Sequence, residues 1–153
     1  VSMKKLVPFL LASLLLLSGC AQKENSPSEA VSSGDLTVAL DAINETPTFI
    51  DGDIDGQPMQ VIAVRDSNVA VRLSYNTCQV CKGSPWAYFE VQNGKLVCQN
   101  CGNAFDFSAI GQNGYGCMPL MASAYTLTET SVVIPHDTLV QVKDAFENWK
   151  VFP

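Results

Sequence analysis

Two Cys-x-x-Cys pairs constrain this chain more than any other feature of it. Cys78 and Cys81 form the first and Cys98 and Cys101 the second, within CQVCKGSPWAYFEVQNGKLVCQNCG at positions 78 to 102. Each pair sets two sulfurs on one short turn, so both can approach a common ion from the same side. Between the pairs lies Asn93-Gly94, the dipeptide that best suits a two-residue hairpin because both positions accept positive φ. Folding the intervening sixteen residues back on that hairpin brings the second turn beside the first. Four thiolates can then converge on one tetrahedral point, as in zinc ribbons and iron–thiolate sites. Gly102, directly after Cys101, suits such a knuckle, where backbone amides turn toward the sulfurs and glycine allows φ > 0. The spacing specifies convergence and leaves the metal open between iron and zinc.

Two alternatives stand beside a metal. Outside the cytosol paired cysteines become disulfides, and a Cys-x-x-Cys disulfide is strained, reactive and usually catalytic. A thiol–disulfide protein is therefore a rival class. A c-type haem is excluded, because attachment needs His directly after Cys-x-x-Cys and the next residues are Lys82 and Gly102. The one histidine, His136, is read as a surface or capping residue at the start of a helix. Cys117 lies in GQNGYGCMPL, where Gly111, Gly114 and Gly116 would let the backbone approach a cluster closely. It is either at or next to the metal site or a buried free thiol acting as a small hydrophobe.

The first twenty residues bear on the compartment. Lys4 and Lys5 precede an almost unbroken apolar run from Leu6 to Leu17, too short for the ~20 residues of a comfortable span but of secretory-signal size. Leu17-Ser18-Gly19-Cys20 resembles a bacterial lipobox. The expectation is a signal peptide over 1–19, lipidation at Cys20, and a flexible tether to residue 34 that is too poor in apolar side chains to order itself. The chain would then sit on the extracytoplasmic face of a bacterial cell membrane, held there by its anchor. Loss of Lys4 and Lys5 from the 9 basic residues, against 15 acidic ones, moves the charge from −6 to about −8. Such a surface argues against nucleic acid and against electrostatic adhesion to anionic lipid.

Residues 35–153 are patterned as one domain of ordinary size. Short strands are expected at Leu36–Leu40 and Thr48–Ile50. Met59–Arg65 and Asn68–Tyr75 alternate across an Asp66-Ser67 turn, and Ala87–Val91 and Lys95–Cys98 flank Asn93-Gly94. A further strand is expected at Ser131–Ile134. Leu139, Val142, Phe146 and Trp149 stand at helical spacing, predicting one amphipathic C-terminal α-helix whose apolar stripe packs inward. Asp51, Asp53 and Asp55 in IDGDIDG resemble the start of a calcium loop, but the later bidentate Glu is missing; they are read as solvated turn residues. The fold class is mainly β, a small barrel or sandwich with metal-bearing loops and one C-terminal helix. No paired carboxylate site or Ser-His-Asp set is visible, so hydrolytic catalysis has no carrier. A non-enzymatic carrier or metal-binding protein fits better than an enzyme.

The run CQVC, then LVCQNCGNAF, then the GYGCMP turn resembles the FtrD-like family of bacterial membrane-associated iron–sulfur proteins over roughly residues 58 to 150. By that resemblance Cys78, Cys81, Cys98, Cys101 and Cys117 match the family's cysteines, and Gly102, Phe105, Gly116 and Pro119 its flanking positions. It implies an iron–sulfur cluster or mononuclear iron, with zinc as the alternative, and electron transfer linked to iron transport or membrane redox. Larger members carry transmembrane helices ahead of this domain, so the resemblance implies a separate iron permease or redox membrane protein as partner. A fainter similarity, CGNAFDFS with the turn after it, is to the second ligand box of Rieske ferredoxins. Cys81 and Cys101 occupy the places where those need histidine, which excludes a His-ligated, high-potential centre. If zinc occupied the same thiolates, the domain would instead be a structural ribbon in a binding module.

Overall fold

The computed structural model describes residues 28–30 and 34–153. The segment read as a signal, Cys20 and most of the tether lie outside the described residues. In chain order the strands are β1 Ser28–Ala30, β2 Leu36–Ala39, β3 Thr48–Ile54, β4 Gln57–Arg65, β5 Val71–Cys78, β6 Phe89–Gln92, β7 Lys95–Cys98, β8 Ala104–Phe105, β9 Pro119–Met121, β10 Thr126–Leu127 and β11 Ser131–Ile134. They form three sheets, ordered β1-β2-β11-β10, β3-β4-β5-β9 and β6-β7-β8. The arrangement is mainly β and sandwich-like, without a closed barrel among the described residues. β1 falls inside the stretch read as a tether and pairs antiparallel with β2.

Sheet pleating explains where the core lies. Successive residues of a strand face opposite ways, and β4 is buried on both faces. Val61 and Ala63 enter a large cluster with Ile50, Leu73, Tyr75, Ile134, Leu139, Phe146 and Trp149. Ile62 and Val64 enter a smaller one with Cys78, Ala87, Phe89, Leu96, Cys98 and Ile110. Fully burying a side chain such as Ile62 or Phe89 is worth about 1.5–3 kcal/mol, so even the small cluster stabilises its corner. Two of its members are cysteines of the paired motifs.

Three turns decide how these strands meet. Asn93 and Gly94 take φ 52° and 74° between β6 and β7, the positive pair that a tight hairpin needs. Asp55 and Gly56 do the same between β3 and β4, at φ 49° and 83°. The aspartates therefore divide: Asp51 and Asp53 belong to β3 and only Asp55 turns, with Asp53 accepting the Gly56 N–H at 2.7 Å. The turn after β4 is longer than expected. Asp66 accepts backbone N–H groups of Asn68 and Ala70 at 2.9 and 3.0 Å, so β5 starts at Val71 and Val69 is an exposed turn residue.

The C-terminal helix is broken. α1 spans only His136–Val140, and a 3-10 turn covers Lys143–Phe146. Val142 leaves the helical region at φ −107°, ψ 3°. The Gln57 side chain donates to the Phe146 carbonyl at 2.7 Å, and Trp149 Nε1–H donates to the Asn76 carbonyl at 2.7 Å. These tertiary bonds fix the end of the chain more firmly than helix propensity, which is a weak influence. Leu139, Phe146 and Trp149 are buried nonetheless. His136 opens α1, its N–H on Asp35 at 3.0 Å and its Nε2 2.9 Å from Asp55 Oδ1.

Candidate metal centre

Both Cys-x-x-Cys segments fold into knuckles with the same hydrogen bonding. Lys82 N–H donates to the Cys78 carbonyl at 2.9 Å, and Gly102 N–H to the Cys98 carbonyl at 2.8 Å. Within each turn the backbone also points at the leading sulfur. Val80 and Cys81 amides reach Cys78 Sγ, the latter at 3.5 Å, and those of Asn100 and Cys101 reach Cys98 Sγ. Gly102 sits at φ 74°, where a side chain would be strained. Ser84 Oγ donates to Asn100 Oδ1 at 2.7 Å and ties one knuckle to the other. No pattern in the sequence marks that bond.

A third segment reaches the same place. β9 pairs with β5 so that Pro119 stands opposite Cys78. Gln79 N–H donates to the Met118 carbonyl at 3.0 Å. Cys117, two residues before Pro119, is carried to the first knuckle. The sulfurs of Cys78, Cys81, Cys101 and Cys117 all lie within 4.8 Å of one another. Cys98 is outside that set although its thiol neighbours that of Cys101. All five are free thiols, from fully buried Cys78 and Cys98, through Cys81 and Cys117, to exposed Cys101. Met118 is partly buried and folds over Gly114 in the loop.

Electrostatics separate the sulfurs. Burial pushes the Cys78 thiol well above its ordinary range. Burial likewise takes Cys98 up to about 11, although the Cys101 and Asn100 amides pull the other way. For Cys101 burial is the largest single influence and acts upward. The Asn103 amide and the thiols of Cys98, Cys117 and Cys81 outweigh it, and hold Cys101 below the usual thiol value. Cys117 is raised, first by its hydrogen bond to Cys101.

These residues fit a thiolate-bound metal. Bonds of about 2.3 Å in a tetrahedron set sulfurs roughly 3.7 Å apart; four sulfurs within 4.8 Å need to close by about 1 Å at most. The donor set is all sulfur, which suits iron or zinc and not hard cations. Buried thiols must give up protons to bind, and the ion supplies the charge that makes this favourable.

Fold and site together define a cysteine-based metal-binding domain. Residues 31–146 match the family described as membrane iron-sulfur containing protein, FtrD-like. The chain belongs to that family, which by its description comprises membrane proteins that contain iron and sulfur. Searches of the curated proteins and of the solved structures gave no significant match. Among the described residues no helix is long and apolar enough to cross a membrane.

Proposed function

We propose that this protein is a lipid-anchored, extracytoplasmic electron carrier built on thiolate-bound iron, serving a separate iron permease or redox membrane protein. The observation that carries the reading is the set of four sulfurs within 4.8 Å in a chain of an iron–sulfur family. Electron transfer asks of a protein little beyond a metal that changes oxidation state, held by ligands that set its potential. Here the sulfurs run from a buried corner at Cys78 to an exposed one at Cys101. Partial burial shields a centre from water, and the exposed sulfur offers a short path to a docked partner. The acidic balance of the sequence, −6 overall, favours the oxidised state and a low potential.

The spacing of the sulfurs supports a second reading equally well. One zinc ion would satisfy the same tetrahedron and carry no electrons, making the domain a structural ribbon. Anaerobically purified protein decides between them. Electron transfer predicts thiolate-to-iron absorption that bleaches reversibly with dithionite, with iron found by metal analysis of the same sample. Stoichiometric zinc and a colourless protein, even after iron reconstitution, would leave the ribbon standing. The anchor has its own test: mass spectrometry of native protein showing an unacylated Cys20 behind an intact leader would remove it.

A further inference from the structure

We propose that the fourth sulfur of the metal site comes from Cys117 and not from Cys98. The metal is then held by Cys78, Cys81, Cys101 and Cys117, and Cys98 stands behind Cys101 as a non-coordinating thiol. This rests on the metal-binding part of the reading above and is indifferent to whether the metal is iron or zinc.

Strand register is the first reason. In β7 the pattern runs exposed, buried, intermediate, buried from Lys95 to Cys98, so Cys98 shares the inward face of Leu96. It stands opposite Phe89 and belongs to the apolar cluster with Ile62, Phe89 and Leu96. Cys78 is equally buried, but its strand continues into the pairing with Pro119. That pairing sets Cys117 beside the first knuckle, whereas the Cys98 thiol, a neighbour of those of Cys78 and Cys101, is turned into the apolar cluster.

The loop that carries Cys117 is pinned at both ends. Gly111 N–H donates to Ser74 Oγ at 2.9 Å. The backbone there is so close to β5 that a Cβ on Gly111 would lie 2.8 Å from Arg72 Cβ. At the other end the Gln79 amide holds the Met118 carbonyl. Cys117 is thus delivered by backbone contacts on both sides.

The count of sulfurs gives the second reason. A tetrahedral ion takes four ligands, and five thiols meet in this corner. The four that are mutually closest already form a set that an ion can close. Including Cys98 in a four-ligand site would require one of these four to leave.

Cadmium-113 loaded into the reduced full chain tests the assignment directly, because proton–cadmium correlations identify the cysteines whose sulfurs bind. Correlations to the β-protons of Cys78, Cys81, Cys101 and Cys117, with none to Cys98, are expected. One cadmium should remain bound per chain in Cys98→Ser and be lost from Cys117→Ser at equimolar metal. A correlation to Cys98, whether in place of Cys117 or through a second bound ion, overturns the assignment. The wild-type spectrum decides the matter even if a variant fails to fold. A reduced chain that takes up no cadmium overturns metal binding itself and this assignment with it. Iron-dependent bleaching has no bearing on the outcome, so failure of the electron-transfer reading is seen separately.

Discussion

Replacing Asn76 with Ala should cost about 3–5 kcal/mol of stability, a large effect for one side chain. Asn76 is fully buried at the end of β5. Its Oδ1 accepts the Phe89 N–H at 2.7 Å, and its Nδ2 donates to Gln60 Oε1 at 2.7 Å and to the Phe89 carbonyl at 3.2 Å. Alanine strands the Phe89 amide, whose position is fixed by pairing with β7, and deprives two acceptors of a partner. A buried group left unsatisfied costs about 1–3 kcal/mol. The Phe89 amide bears the full penalty, while relaxation of Gln60 relieves part of the rest. With a urea slope of about 2 kcal/mol per molar, the midpoint should fall by about 1.5–2.5 M. Urea unfolding of the metal-free chain, followed by far-ultraviolet circular dichroism, measures this. Gln92→Ala is the control, since the exposed bond from Gln92 to Gln99 should be worth no more than ~0.5 kcal/mol. A loss at Asn76 no greater than at Gln92 would show that the side-chain network does not hold the β6–β7 hairpin to the main sheet.

Gly111→Val should destabilise by roughly 2–3 kcal/mol, since φ is +71° and the new Cβ would press on Arg72 and the Leu73 backbone. Thermal melting and cadmium retention, measured together, should both fall; an unchanged melting temperature would refute the close packing of this loop. The metal-free protein should also lose stability in alkali. Burial raises Tyr75 from 10.0 to about 12 and Cys98 from 9.0 to about 11, so the folded state holds protons that the unfolded chain has released. Stability from these groups is complete below about pH 9 and declines as pH rises through 11 to 12. The urea midpoint should be lower at about pH 10.5 than at about pH 8, and an equal or higher midpoint would contradict the burial of both groups.

What the sequence disclosed, it disclosed through short-range chemistry. Asn93-Gly94 announces its hairpin because few residues accept two positive φ values in a row. Asp55-Gly56 carries the same signal, masked there by three aspartates that invite a calcium reading. Gly102 and the two knuckles are legible because Cys-x-x-Cys spacing is a local geometric instruction. Cys117 shows only as a cysteine among glycines, since its place depends on β9 choosing β5 as partner, across about 40 residues of chain. Leu139, Val142, Phe146 and Trp149 correctly mark an inward stripe. The break within it is invisible, because Gln57 and Asn76, which capture the end of the chain, lie far away in sequence. Ser84–Asn100 and the Asn76 network are hidden for the same reason: polar residues look alike until a fold sets them face to face.

The two hydrophobic clusters on either side of β4 have a consequence for the life of the molecule. The larger contains no cysteine, its one sulfur being that of Met59; the smaller holds Cys78 and Cys98, with Cys81 and Cys117 packed against it. Thiol oxidation or loss of metal should therefore act first on the corner that holds the smaller cluster. A chain damaged there should keep the fold around Val61, Leu73 and Phe146 while the stretch from Gln79 to Met118 loosens, and limited proteolysis would detect that local opening. Thiol damage should therefore open the chain first in its smaller core, ahead of the larger one.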